Sequence, residues 1–113
     1  MLILDGIFLH RPELRASWDF SIFLHVGFDV SIARCAQRDG SDPDPDAASN
    51  RRYVAGQRLY LLEARPWEHA SVIIDNTNLT APAIIAPDVV RRTAIRRRTP
   101  RVSRRAEPPG CQR

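Results

Sequence analysis

The chain has 113 residues and a mass of 12.8 kDa, which suffices for one small domain with a modest core. Hydrophobic residues make up 43% of it and charged residues 27%, a balance typical of a globular rather than a disordered sequence. No apolar run approaches the ~20 residues of a membrane span and no signal-peptide pattern opens the chain, so we expect a cytoplasmic protein.

Positive charge is concentrated at the carboxyl terminus. Residues 1–90 carry 8 Arg against 12 Asp and Glu, whereas residues 91–113 carry 9 Arg against Glu107 alone. The net charge of +4 therefore combines an acidic body at −4 with a basic tail at +8. All 17 basic residues are arginine, so no lysine is present. Cys35 and Cys111 lie far apart without metal-ligand spacing, which favours a reducing compartment.

Apolar and β-branched runs predict three strands. Met1–Leu4 is typical of a buried strand that ends at Asp5-Gly6, and residues 20–26 predict a second strand. Residues 72–74, closed by Asp75, repeat the opening pattern. Between the first two strands, residues 12–18 predict a single helical turn.

Two helices are predicted between the second and third strands. Asp29 is a candidate N-cap for a helix from Val30 to about Arg38, and a longer helix is expected over residues 46–64 after an Asp-Pro loop. No helix or strand with an apolar face is predicted from Pro87 onward. The alternation predicts an α/β unit with a parallel sheet over residues 1–87, followed by a disordered Arg-rich tail over 88–113.

Short motifs follow one another along residues 1–87. They are Asp5-Gly-Ile-Phe-Leu-His-Arg-Pro-Glu-Leu14, Trp18-Asp19, Ala33-Arg34, Arg38-Asp39-Gly40, Asn50-Arg-Arg-Tyr53, Gly56-Gln57, Leu59-Tyr60 and Asp75-Asn76-Thr77-Asn78-Leu79. In this order they resemble the C-terminal half of bacterial uridine kinase-like proteins of the P-loop kinase superfamily. The resemblance implies ATP- and Mg²⁺-dependent phosphoryl transfer to a nucleoside hydroxyl. It also implies a partial P-loop kinase-type parallel sheet of three strands that lacks the phosphate-loop strand and helix.

The resemblance assigns catalytic roles to three residues. Asp5 matches the strand-end acid that supports Mg²⁺, although Asp-Gly is also a common turn. Arg34 and Arg38 lie one helical turn apart and could neutralise charge on the transferred phosphoryl group, and Arg38 matches the end of the family's lid helix. The alternative for both arginines is a solvated helix face with Asp39 or Asp42 as partner.

Binding roles are assigned to four further residues. Arg51 and Arg52 follow the acidic loop and suit a lid that closes over ATP, although an arginine every seven residues from position 51 is also typical of a solvated helix. His10 and Arg11 could line the nucleoside pocket. The alternative for His10 is a structural histidine.

The missing phosphate loop limits the expected activity. No G-x-x-x-x-G-K-[ST] motif occurs, and the family's phosphate loop would lie before Met1, so we expect this chain to be inactive alone. Without the central strand of that sheet, the first and second predicted strands have unpaired edges that favour association with other chains; the alternative is that the two strands pair directly and the helices repack. We expect marginal stability for residues 1–90 alone. The alternative function is non-enzymatic binding of nucleic acid or another partner by the basic tail. The tail has no aromatic residue for base stacking, so its nucleic-acid binding would be non-specific and salt-dependent.

Overall fold

The structure, a computed structural model, describes residues 1–94, and residues 95–113 lie outside the described part. The strands are β1 (Ile22–His25), β2 (Val72–Asp75) and β3 (Ala83–Ile84). The α-helices are α1 (Phe28–Asp39), α2 (Arg51–Ala64), α3 (Pro66–His69) and α4 (Pro87–Ala94), and a 3₁₀ turn covers Arg15–Ser17. Within residues 1–94, none of the helices combines the length and apolar character that a membrane span needs.

The three strands form an open sheet in the order β1-β2-β3. β1 and β2 are parallel, with Ile22 opposite Val72 and His25 opposite Asp75, and helices α1 to α3 provide the long crossover that parallel strands need. β3 runs antiparallel to β2, with Ile74 opposite Ile84. The fold is therefore mixed α/β, as predicted. The prediction of an all-parallel sheet is wrong, because the third strand is the antiparallel β3 and not Met1–Leu4.

The core lies where α3 and α4 meet one face of the sheet. Trp67, Ile73 and Val90 are its buried members. The partly buried side chains packed around them are Phe23, Leu61, Ala70 and Ile85. These residues come from two strands, three helices and the segment after β3, so the cluster joins parts of the chain that are far apart in sequence.

Helix α4 was not predicted. Pro87 suits the first turn of a helix, and Asp88 in that turn interacts favourably with the helix dipole. Val90 is 0% exposed and packs in the core, while Arg91 and Arg92 are exposed. One well-placed apolar side chain thus anchors a helix that has no continuous apolar stripe, and residues 88–94 of the predicted disordered tail are helical. The rest of that predicted tail lies outside the described residues.

The predicted first strand is also wrong. Met1–Leu4 form no strand and all four side chains are exposed, with Leu2 at 90%. Among the described residues, β1 has no strand beside it on the edge opposite β2. Apolar composition alone cannot hold an extended segment, because its backbone N–H and C=O groups need a neighbouring strand.

Both long helices begin away from their predicted starts. The residue before α1 is Gly27, while Asp29 lies in the first turn and interacts with the dipole instead of capping it. Gly40 ends α1 in the left-handed region at φ 71°, where its N–H donates to the carbonyl of Ala36. Helix α2 begins at Arg51 rather than at residue 46.

The acidic loop before α2 explains this late start. The Asp42 and Asp44 carboxylates accept hydrogen bonds from the backbone N–H groups of Asp44 and Asp46, each at 2.9 Å. The Asn50 amide donates to the carbonyls of Asp42 and Asp44 at 2.9 and 2.8 Å. These side chains bond the backbone in turn conformations that compete with a helix, so the helix starts after them.

Candidate functional site

The carboxyl ends of the parallel strands bring His25 and Asp75 side by side. They are the last residues of β1 and β2 and are register partners. In open α/β sheets, ligands bind beyond the carboxyl ends of the strands. This end of the β1–β2 pair, which we call the carboxyl edge, is therefore the first place to look for a site.

Arg34 connects α1 to the loop that follows β2. Its guanidinium donates hydrogen bonds to the carbonyl oxygens of Asn76, at 2.9 Å, and of Thr77. A guanidinium presents several donors in a fixed plane, so one side chain holds two consecutive peptide groups. Arg34, predicted as catalytic, is thus placed at the carboxyl edge, where it orients the loop.

The loop after β2 is further ordered by its own side chains. The Asp75 carboxylate accepts hydrogen bonds from the Thr77 backbone N–H at 3.0 Å and the Thr77 hydroxyl at 2.6 Å. These bonds, together with the nearby His25, hold the pKa of Asp75 below its usual value. Asn78 accepts equivalent bonds from Thr80. Two consecutive Asx turns therefore shape residues 75–80.

His25 is the residue of this edge that the sequence analysis missed. Its Nε2 lies 3.3 Å from the Thr93 hydroxyl of α4. Burial lowers the pKa of His25, and the adjacent Asp75 partly opposes that shift. The strand predicted over residues 20–26 runs past His25 to Val26, whereas β1 ends at His25 itself, so the prediction did not put this residue beside Asp75.

Asp5 and Arg38 do not join this edge through any contact. Asp5 is exposed and follows no strand, and among residues 1–94 no hydrogen bond or ion pair links it to Arg34 or Arg38. The Arg38 guanidinium instead bonds the neighbouring Asp39 carboxylate at 2.7 and 2.8 Å, with both side chains exposed. This pairing raises the pKa of Arg38 and lowers that of Asp39. Arg38 therefore has the exposure and the Asp39 partner expected of an arginine on a solvated helix face.

The predicted lid arginines occupy the first turn of α2. Arg51 and Arg52 are both exposed there, and the acidic loop before them is held by Asn50. Arginines at a helix N-terminus are unfavourably placed relative to the helix dipole, so an anion bound near them would be stabilised. Within residues 1–94, neither Arg51 nor Arg52 is brought into contact with another predicted site residue.

His10 lies at the opposite end of the sheet. It is 5% exposed, its Nε2 is 3.0 Å from the Ser21 hydroxyl just before β1, and its backbone N–H donates to the Tyr60 hydroxyl at 3.2 Å. Burial, with a smaller effect of His69, lowers the pKa of His10. Arg11 beside it is exposed. His10 is therefore a buried, hydrogen-bonded residue near the amino ends of the strands.

The expected Mg²⁺ finds no preformed cage. Among residues 1–94 no group of three or more His, Cys, Asp or Glu side chains could hold a metal ion. Mg²⁺ bound to a triphosphate needs only one or two carboxylates, with phosphates and water completing its shell, so Asp5 alone would be a minimal ligand. Since Asp5 does not end a strand here, the described residues do not fit the metal site that the resemblance implies.

Comparisons with known proteins give no independent support for the motif resemblance. No family model matches the chain, and no curated protein and no solved structure matches it either. The resemblance to uridine kinase-like proteins rests on the sequence motifs alone.

Proposed function

We propose that this chain is part of a uridine kinase-like phosphotransferase and that its carboxyl edge binds the nucleotide. The observation that supports this proposal is the Arg34 bridge, which fixes the peptide groups of Asn76 and Thr77 beyond the end of a parallel strand. An ordered backbone at that position can accept a ligand without a further entropic cost of ordering.

The chemistry of the edge suits the base of a nucleotide better than its phosphates. Thr77, Asn78 and Leu79 are exposed and offer backbone groups, an amide and an apolar surface to a planar base. In the resembled family this loop lies on the adenine side. Arg34 acts as a positioning residue, and because the chain has no lysine and no phosphate loop, we expect binding without phosphoryl transfer.

The test is an amide NMR titration of the full chain with ADP. We expect chemical-shift changes at residues 25–28 and 75–80. Arg34→Gln should weaken binding about tenfold by releasing the loop, the equivalent of about 1.4 kcal/mol, while Arg34→Lys should restore part of it.

Arg65→Gln is the matched control, since Arg65 is an exposed arginine outside the edge whose partner is Glu68. Its ADP affinity should equal that of the unchanged chain. If ADP shifts no resonance at the carboxyl edge, or if Arg34→Gln and Arg65→Gln bind ADP equally, the proposal fails.

A second candidate function is non-specific binding of nucleic acid. Its supporting observation is α4, which is anchored by the buried Val90 and presents Arg91 and Arg92 to solvent immediately before seven further arginines in the sequence. Fluorescence anisotropy with single-stranded RNA should show affinity that falls steeply with salt. Arg91→Gln should reduce the salt slope by about 1. RNA binding that does not depend on salt, or that is unchanged when Arg91→Gln is combined with deletion of residues 95–113, would exclude this function.

A further inference from the structure

A line of basic and hydroxyl side chains runs across the amino ends of β1 and β2. The Arg15 Nη1 lies 2.7 Å from the His69 Nε2, which joins the 3₁₀ turn to α3. Two residues further on, the Ser71 hydroxyl accepts a hydrogen bond from the Ser21 backbone N–H at 3.0 Å. The Ser21 hydroxyl lies 3.0 Å from the His10 Nε2. We call these five residues the amino-edge cluster.

The amino-edge cluster collects basic groups without a carboxylate partner. In residues 1–94 the ion pairs are formed elsewhere, by Arg38 with Asp39, Arg65 with Glu68 and Arg92 with Asp88. Arginine stays protonated at all ordinary pH values, so in the contact with His69 the guanidinium donates and the imidazole nitrogen accepts. Only part of the donor capacity of Arg15 is used by that bond.

Accessibility separates the two ends of the cluster. His69 and Ser71 are exposed and Arg15 is half-buried, whereas His10 is buried behind Ser21. The buried end fixes the cluster on the sheet, and the exposed end presents a guanidinium, an imidazole and a hydroxyl to solvent. Those are the side chains that bind phosphate oxygens, and the guanidinium fork matches a phosphate group in a bidentate manner.

We propose that Arg15, His69 and Ser71 bind a phosphate oxyanion at the amino edge of the sheet. The anion supplies the negative charge that the cluster lacks and accepts the unused Arg15 donors. The site is independent of the nucleotide site proposed above, because the four-residue length of β1 puts about 13 Å between the two edges. A free phosphate and the phosphate of a nucleotide share this chemistry, and the experiment separates them.

The experiment is an NMR titration of the full chain with inorganic phosphate, read at the His69 ring and the Ser71 amide. Sodium chloride at equal ionic strength is the reference, and uridine 5′-monophosphate is the second arm. We expect phosphate-specific shifts at both residues, with about tenfold weaker binding in Arg15→Gln, which loses a charged hydrogen bond. Arg15→Lys should keep part of the affinity because it retains the charge.

Two variants guard against a trivial result. Arg58→Gln removes an exposed arginine that packs over Phe28 on another part of the fold, so it should bind phosphate as the unchanged chain does. If Arg15→Gln does not fold, the exposed His69→Gln, read at the Ser71 amide, serves in its place. Tighter binding of the nucleotide than of phosphate would identify a nucleotide phosphate as the source, and equal binding a free phosphate. Shifts that chloride reproduces, or equal phosphate affinities of Arg15→Gln and Arg58→Gln, would overturn the proposal.

Discussion

Met1–Leu4 and β2 have closely similar sequences but different structures. Each is a short run of Leu, Ile or Val that ends in an aspartate, at Asp5 and Asp75. β2 lies between β1 and β3, and its Ile73 is buried in the core. Met1–Leu4 has no strand partner among the described residues, and all four of its side chains are exposed. The local pattern was equally good in both segments, and the presence of neighbouring strands made the difference.

β1 is intermediate between these two segments. It pairs with β2 along one edge only, and the alternation of side chains along the strand puts Phe23 on the face towards the core and Ile22 and Leu24 on the exposed face. β3 also has a single strand neighbour and both of its residues are exposed, so burial requires a helix or loop packed on the face of a strand as well as a paired edge. The buried cluster of Trp67, Ile73 and Val90 accordingly lies where α3 and α4 cover β2.

The largest expected effect comes from placing the same charge in the buried core and in the exposed Met1–Leu4 segment. Val90→Asp buries a carboxylate in the core beside Trp67 and Ile73, so it should abolish the cooperative urea unfolding transition followed by circular dichroism. The milder Val90→Ala should lower the free energy of unfolding by about 2 kcal/mol. Leu2→Asp, at an exposed position, should change it by less than about 0.5 kcal/mol.

Leu2→Asp has a second consequence. The exposed apolar residues of the N-terminal segment favour association between molecules, and a charge there should reduce the molecular mass measured by light scattering at high protein concentration. Equal destabilisation by Val90→Asp and Leu2→Asp would show that Met1–Leu4 is part of the core, contrary to this structure.

Particular residues show how far the sequence could lead. The positions of β1, α1 and β2 followed from apolar runs and turn signals, and Asp75 was correctly placed at a strand end. Met1–Leu4 could not be judged, because pairing is a property of the whole sheet and not of four residues. Val90 was missed since a single apolar residue in a short helix gives no periodicity. At the site, the Arg34 bond to loop carbonyls 42 and 43 residues away depends on the crossover geometry, which no local pattern contains.

The next largest effect is a pH dependence of the free energy of unfolding. It involves His10, which connects the first residues of the chain to the rest of the fold. Burial lowers the pKa of His10 from its usual 6.5, and burial lowers that of His25 as well. The unfolded chain therefore binds these protons at higher pH than the folded chain does. The free energy of unfolding should be constant above neutral pH and should fall as the pH drops below about 6.5. Urea titrations between pH 8 and pH 5 measure this slope.

Single variants apportion the pH effect. His10→Gln keeps a hydrogen-bonding group near the Ser21 hydroxyl but cannot titrate, so it should flatten part of the slope, and His25→Gln should flatten the remainder. Asp75 does not contribute in this window, since its lowered pKa lies below 3.8 and its stabilisation is lost only at more acidic pH. An unchanged slope in the double variant would contradict the assignment to these histidines.

The smallest expected effect lies at the junction that places Trp67 in the core. Arg65 links α2 to α3 in the left-handed region at φ 43°, a conformation that costs a non-glycine residue about 1 kcal/mol. Its ion pair with Glu68, at 3.5 Å between exposed side chains, contributes little to the free energy of unfolding. Arg65→Gly should therefore raise the free energy of unfolding by about 0.5 kcal/mol. Arg65→Ala loses the same ion pair but retains the strain, so it should be less stable than Arg65→Gly in parallel urea titrations. Equal stability of the two variants would mean that the left-handed conformation of Arg65 costs no free energy, so that the turn between α2 and α3, which places Trp67 in the core, is unstrained.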